Sequence, residues 1–149
     1  MEPARPHVVD PDVDVHDPAQ RAELRNHPAE VLGVISLGGV IGAEARYGVG
    51  LLAHPEFPVI TLCINVVGCA LIGALMVYVE SGRAPRLARP LLGTGVLGGY
   101  TTFSTFAVDA DRLLHTHRVL AAVGYVAGSV AGCVGAVVVG AAVARRLRR

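Results

Sequence analysis

The nine residues GGYTTFSTF, numbered 98–106, join a glycine pair to four serine and threonine hydroxyls and two phenylalanines inside an apolar segment. Each glycine makes a helix about 1 kcal/mol less stable than alanine would, so Gly98 and Gly99 are expected to let the backbone leave helical geometry. Non-helical backbone at membrane depth persists only where it is buried in protein or lines a cavity. The stretch therefore predicts a broken helix whose freed carbonyl oxygens suit a hard cation.

Four apolar segments can be recognised, at residues 31–53, 57–79, 90–108 and 119–144. Each approaches or exceeds the ~20 residues that a helix needs to cross a bilayer. The hydrophobic content of 52% and the 18 glycines suit closely packed membrane helices. A soluble bundle would need a polar face on each helix, and these segments lack one. The prediction is an all-α membrane protein with four transmembrane helices, the third broken near its middle.

Residues 1–28 differ from the rest of the chain because they are polar and rich in proline and aspartate. They lack the basic start and apolar middle of a signal peptide. Such a composition cannot bury enough apolar surface to fold. We therefore predict two parts, a disordered polar tail at 1–28 and a transmembrane domain at 29–149.

Two charged residues lie within the first apolar segment. Read at a spacing of four, Gly38, Gly42, Arg46 and Gly50 form a stripe of small residues that favours close helix contact. Arg46 is therefore expected to point into protein or water rather than lipid. Glu44 lies about 200° away around the helix, and we interpret it as an interfacial charge near the end of the span.

Asn65 is the only strongly polar residue of the second segment. A buried amide without a partner would cost roughly 2–7 kcal/mol. The side chain must therefore bond to another helix, to water or to a ligand, and a purely structural bond between helices is one of these alternatives.

The fourth segment carries two neighbouring stripes. Small residues at 124, 128 and 132 predict a packing face, and beside it lie Tyr125, Ser129 and Cys133. The hydroxyls of Tyr125 and Ser129 could line a polar track. Alternatively, Ser129 could bond back to a carbonyl of its own helix.

Several classes of function find no support in the sequence. Cys63, Cys69 and Cys133 have no metal-binding or redox spacing, and we interpret them as small apolar fillers. No nucleophile–base pair, metal cluster or phosphate loop can be recognised, so an enzyme is not expected. The net charge of +1 implies no general attraction to nucleic acid.

The chain from residue 38 to the end of the fourth segment resembles the Fluc (CrcB) family of fluoride-specific ion channels. The resemblance is carried by GGVIGAEARY at 38–47, TLCINVVGCALIG at 61–73 and GTGVLGGYTTFSTF at 93–106, in that order. It implies passive fluoride export through the plasma membrane of a prokaryote, which protects the cell from fluoride. It also implies an antiparallel dual-topology dimer with two pores.

The same resemblance assigns roles to individual residues. It implies a structural Na+ at the centre of the dimer, held by the backbone carbonyls of Gly98 and Thr101 and not transported. It implies a vestibule residue in Arg46. The pore residues that it implies are the asparagine, the two phenylalanines and the hydroxyl track, namely Asn65, Phe103, Phe106, Tyr125 and Ser129. Two departures stand out, because Cys133 replaces a usual hydroxyl residue and Glu44 a usually apolar one.

Physical chemistry agrees with a pore for fluoride. Fluoride is small and strongly hydrated, so a pore must replace its water with hydrogen-bond donors. Donors are available from five side chains, Asn65, Thr102, Ser104, Thr105 and Ser129. Phenyl ring edges carry partial positive charge and can face an anion. Conduction requires binding loose enough for release, which favours Arg46 at an entrance rather than inside the pore.

The arginines are distributed unevenly between the two ends of the predicted bundle. One side would carry Arg5, Arg21, Arg25, Arg83, Arg86, Arg89, Arg145, Arg146, Arg148 and Arg149. The opposite connections carry only Arg112 and Arg118. This bias predicts cytoplasmic termini and some preference for one orientation. The dimer is therefore either a homodimer or a heterodimer with an oppositely oriented paralogue.

Two other functions are compatible with parts of the sequence. A proton-coupled small four-span exporter could use Glu44, because intramembrane acids are functional candidates, but it leaves the polar third segment unexplained. A non-conducting membrane assembly protein would tolerate loss of Phe103 and Asn65.

Overall fold

The computed structural model describes residues 28–51 and 58–148, and within them all regular structure is helical. The first two spans are α1, Pro28–Gly50, and α2, Val59–Glu80. A third span follows in three pieces, a π-helix at Arg89–Leu97, α3 at Gly98–Tyr100 and α4 at Phe103–His115. The last span is α5, Val119–Leu147. The all-α prediction is thus confirmed for the described residues, whereas the predicted tail at 1–28 lies almost wholly outside them.

The third span is longer than predicted. We expected residues 109–118 to form a connection, but α4 continues through Asp109 to His115. The reason is that α4 has a buried face, on which Leu113 packs with Ala122 and Tyr125 of α5. The chain reverses only after His115, where His117 adopts a left-handed φ of 58°.

We expected the glycine pair to leave helical geometry, but both glycines are helical. Gly98 has φ −64° and ψ −38°, and α3 carries the helix on to Tyr100. The extended residues are Thr101, with ψ 159°, and Thr102, with φ −149° and ψ 123°. Gly99 instead permits close packing, because a Cβ there would collide with the carbonyl of Gly39 in α1.

Close packing through glycine joins α1 to the first half of the third span. A Cβ on Gly42 would collide with the Val96 carbonyl, and one on Gly38 would lie 2.5 Å from the Leu91 carbonyl oxygen. The predicted small-residue stripe of α1 is therefore a packing face. It places Arg46, one turn beyond Gly42, against the end of α3.

The predicted glycine stripe of α5 is a packing face within this chain only at Gly132, where a Cβ would lie 3.3 Å from Val66 Cγ2. Gly124 and Gly128 have no neighbouring atom within 4 Å of a built Cβ. The close contacts with α2 lie further along, where a Cβ on Gly140 would collide with the Ala70 carbonyl and one on Gly73 with the Val137 carbonyl. The inward face of α5 is set by the buried Tyr125 and its neighbours. Because each residue turns a helix by 100°, Gly124 and Gly128 fall to one side of that face.

Two of the helices, α2 and α5, are long and apolar enough to cross a membrane by length and composition. The pieces of the third span are each too short for that criterion, and α1 carries Glu44 and Arg46. Two contacts tie one end of the bundle together. Arg86 forms an ion pair with Glu30 at the start of α1. Arg148 donates to the Val77 carbonyl near the end of α2, at 2.8 Å.

Candidate functional site

The interruption between α3 and α4 is held by Asn65 of α2. The Nδ2 of Asn65 donates to the Thr102 carbonyl oxygen at 3.0 Å, and the backbone N–H of Thr102 donates to Asn65 Oδ1 at 2.9 Å. One amide side chain thus satisfies both the N–H and the carbonyl of Thr102. Of the partners that the sequence left open for Asn65, the structure shows a bond between spans, and its second amide hydrogen is not used by this pair of bonds.

Thr102 also begins the next helix. Its Oγ1 accepts the backbone N–H of Thr105 at 3.1 Å, which is the bond of a helix N-cap. The same hydroxyl donates to Thr105 Oγ1 and is bonded to Ser104 Oγ, both at 3.1 Å. Three of the predicted donors therefore form one hydroxyl cluster at the start of α4.

The end of α3 is shaped by two further bonds. Thr101 donates to the Leu97 carbonyl from both its N–H, at 3.0 Å, and its Oγ1, at 2.9 Å. Arg46 Nε donates to the Gly99 carbonyl oxygen at 3.1 Å. The guanidinium of α1 therefore lies at the interruption itself, held by a backbone group that has lost its helical donor.

The carbonyls of Gly98 and Thr101 also lie at the interruption between α3 and α4. In a continuous helix the Thr102 N–H would bond to the Gly98 carbonyl, but it bonds to Asn65 instead. The extended ψ of Thr101 turns that residue's carbonyl out of the helical ladder. Both residues border an open cleft. Their carbonyl oxygens therefore fit the type of ligand that a hard cation requires.

That cleft, of about 720 Å³, brings together most of the predicted pore residues. It is bordered by the amide, one hydroxyl, both rings and the α5 serine, namely Asn65, Thr102, Phe103, Phe106 and Ser129. We call it the phenylalanine cleft. Ser104, Thr105 and Tyr125 do not border it.

A second cleft, of about 1060 Å³, lies on the other side of Thr102. Arg46, Thr105, Asp109 and Arg112 border it, and we call it the arginine cleft. Thr102 borders both clefts. The backbone held by Asn65 is therefore the partition between them. Glu44, expected to face away from Arg46, is exposed but also borders this cleft.

Three aromatic rings lie in sequence along α4 and α5. The centroids of Phe103 and Phe106 are 5.6 Å apart at 46°, and those of Phe106 and Tyr125 are 5.4 Å apart at 35°. The side of Phe103 away from Phe106 is open, since 79% of its surface is exposed. Tyr125 is buried under Phe106. Tilted rings present edges as well as faces, so the Phe103 edge is available to an anion.

Tyr125 and Ser129 are both buried. Ser129 Oγ has no hydrogen-bond partner among the described residues, so the alternative of a bond back to its own helix is not seen. A buried hydroxyl without a partner costs free energy. Ser129 also borders the phenylalanine cleft, so this buried, unpartnered hydroxyl lies beside it.

Sequence reasoning missed two residues of the site. Thr61 Oγ1 donates to Asp109 Oδ2 at 2.7 Å, which links α2 to α4 at the edge of the arginine cleft. The helical periods would have shown both, because Thr61 is four residues before Asn65 and Asp109 three after Phe106. Because residues 109–118 were predicted to form a connection, the helical spacing of Asp109 from Phe106 was not used.

Comparisons with known proteins agree on one family. Residues 33–141 match the family described as "CrcB-like protein, Camphor Resistance (CrcB)". The chain is 44% identical over 126 residues to "Fluoride-specific ion channel FluC 2" of Streptomyces avermitilis, an alignment covering 82% of this chain and 80% of that protein. It is 45% identical over 123 residues to "Fluoride-specific ion channel FluC 1" of Streptomyces coelicolor, covering 80% of each.

A relative outside that genus extends the agreement. "Fluoride-specific ion channel FluC" of Paracoccus denitrificans is 44% identical over 116 residues, covering 76% of this chain and 93% of that protein. The matched region contains all of α2, the whole third span and most of α1 and α5. The chain belongs to the CrcB family, as its sequence motifs had indicated.

Proposed function

We propose that this chain is a fluoride-specific channel that lets fluoride leave the cell passively across the plasma membrane. The names of the curated relatives support this function. The observation that carries it here is the phenylalanine cleft, where Asn65, Thr102, Phe103, Phe106 and Ser129 converge. We assign these residues, with Ser104, Thr105 and Tyr125, to the anion pathway, and Arg46 to its vestibule.

The chemistry of the cleft suits a small, strongly hydrated anion. The Ser129 hydroxyl and the second amide hydrogen of Asn65 donate hydrogen bonds that replace water. The edge of Phe103 adds a weak electropositive contact. None of these three groups carries a full charge, which favours binding loose enough for release; the arginine that borders the cleft, Arg89, lies at the start of the π-helix. Arg46 is held outside the phenylalanine cleft, where its charge attracts the anion without trapping it.

A second copy of the chain completes the pathway in this proposal. Only 6% of the apolar window of α5 is buried within one chain, and Phe103 is 79% exposed. We propose an antiparallel dimer in which a second chain covers the phenylalanine cleft. The partner is either another copy or an oppositely oriented paralogue.

A structural Na+ is proposed for the interruption of the third span. The carbonyls of Gly98 and Thr101 are its ligands from one chain, for the reasons of geometry given above. A hard cation binds more oxygens than these two, so the second chain supplies a matching pair. The ion stabilises the two interruptions against each other and adds positive potential near the pathway.

Fluoride efflux from liposomes holding the purified chain tests the function. The expected result is efflux that greatly exceeds that of chloride and depends on Na+. Phe103→Ile is expected to slow it strongly, whereas Glu44→Gln is the matched control expected to leave it unchanged. Equal chloride and fluoride efflux would refute the channel. Transport that required a pH gradient and failed in Glu44→Gln would identify a proton-coupled exporter instead.

A further inference from the structure

Two of the three cysteines border the same cleft from two packed helices, α2 and α5. Cys69 and Cys133 are both partly buried, and both border the phenylalanine cleft. Cys63, by contrast, is exposed on α2 and lies about 240° around that helix from Cys69.

The packing of the two helices fixes this pair. A Cβ on Gly132 would lie 3.3 Å from Cγ2 of Val66, and Gly73 packs against the Val137 carbonyl. The residue numbers of these contacting positions increase together along both helices, so α2 and α5 run side by side in the same direction. Cys69 and Cys133 lie at one level between these contacts, where movement of either backbone is restricted.

We propose that Cys69 and Cys133 form a two-thiolate site for a soft cation that prefers linear coordination. Thiolates select soft metals such as Cu(I). Among the described residues no group of three or more His, Cys, Asp or Glu side chains is placed to hold a metal, so the four ligands of a structural zinc site are not present there. Two sulfurs suffice for a linear ion such as Hg(II), Ag(I) or Cu(I).

The binding step balances with mercuric chloride as the probe. Each thiol loses its proton, two Hg–S bonds replace two Hg–Cl bonds, and two molecules of HCl are released. No oxidant or reductant is needed. The probe is small and neutral, so it reaches the membrane interior without crossing the anion pathway.

A bridged metal would also block the cleft. Cys133 lies one helical turn from Ser129, which borders the same cleft. A metal bound between the thiols would occupy space beside that donor and tie α2 to α5. This second half of the inference rests on the proposed channel function, whereas metal binding does not.

Metal retention is measured first, on the full-length chain in detergent with mercuric chloride and glutathione as competitor. The effective concentration of a second thiol on the same protein is on the order of millimolar. With ~0.1 mM glutathione as competitor, mercury should therefore favour the cysteine pair over glutathione by about tenfold. The intact chain and Cys63→Ser are expected to retain one mercury per chain. Cys69→Ser and Cys133→Ser should retain at least about tenfold less. Equal retention by all four proteins, or none by the intact chain, would overturn the site.

Fluoride efflux from liposomes is the second readout. Mercuric chloride should block the intact chain and Cys63→Ser, with recovery on adding dithiothreitol, and should spare both other variants. Blockage that persists in Cys69→Ser and Cys133→Ser would overturn the assignment to this pair. Efflux by the intact chain that mercury leaves unchanged would overturn the blocking role. Failure of the intact chain to conduct would count against the channel, while the retention assay would still decide the metal site.

Discussion

At the scale of single residues, Asn65 and Thr102 stabilise the interruption of the third span. Asn65 replaces both hydrogen bonds that the Thr102 backbone gives up when the third span is interrupted. Thr102 then caps α4 with its side chain. The two residues act on different groups, one on the backbone and the other on the start of a helix, so their effects on stability can be separated by substitution.

Asn65→Ala is expected to destabilise the protein strongly. It leaves the partly buried N–H and carbonyl of Thr102 without their partner. A fully buried group left unsatisfied costs about 1–3 kcal/mol, which is the upper bound for each of these two. Asn65→Asp keeps an acceptor for the N–H and should lose less. The measurement is the unfolding midpoint in detergent. Midpoints that are the same for Asn65→Ala and the native chain would contradict the role of Asn65 in holding the interruption.

Thr102→Ala removes the cap of α4 but keeps the backbone that Asn65 binds. Loss of an N-cap side chain costs about 1 kcal/mol, so a moderate fall in the unfolding midpoint is expected. Thr102→Ser retains a hydroxyl and serves as the matched control. If the serine variant were as unstable as the alanine variant, the threonine methyl rather than the cap would be responsible.

At the scale of elements, glycine decides how closely the helices approach. Gly38, Gly42 and Gly99 bring α1 against the first half of the third span, and Gly73 and Gly140 bring α2 against α5. The π-helix at Arg89–Leu97 lies within the first of these contacts. Such helices are rare and occur often at functional sites, and this one leads directly to the interruption.

Gly42→Ala should be much more harmful than Gly48→Ala, although both lie in α1. A Cβ on Gly42 would collide with the Val96 carbonyl, whereas nothing lies within 4 Å of one on Gly48. Overpacking of this kind costs about 1–3 kcal/mol, while an exposed alanine for glycine in a helix stabilises by up to about 1 kcal/mol. Unfolding midpoints in detergent check this. A tolerated Gly42→Ala would mean that α1 can move away from the third span.

At the scale of the whole molecule, the two ends of the bundle differ in charge. The contacts of Arg86 with Glu30 and of Arg148 with Val77 gather the start of α1, the end of α2 and the end of α5 at one end. The arginine cleft, with Arg112 and Arg118, opens at the other. The sequence predicted this division of the arginines, and the contacts agree with it.

Neutralising the arginine-rich end should change how the chain inserts. Because basic residues favour the cytoplasmic side, a reporter fused after residue 149 is expected to be mainly cytoplasmic in the native chain. Replacing Arg83, Arg86 and Arg89 with glutamine should increase the fraction of chains with the opposite orientation. An even distribution in the native chain would instead support a dual-topology homodimer. Robust fluoride efflux by the chain expressed alone would exclude an obligatory paralogous partner.

The sequence by itself determined the class of the protein and its family, and it named five of the residues that border the phenylalanine cleft. The length of the apolar segments, the glycine content and the order of the motifs are properties of the sequence that do not depend on how the chain folds. The tertiary structure alone decided where the third span is interrupted, because Gly99 packs against α1 within a helix that continues to Tyr100. It alone showed that GGYTTFSTF is interrupted at Thr101 and Thr102, where Asn65 on another helix supplies the bonds that make extended backbone stable.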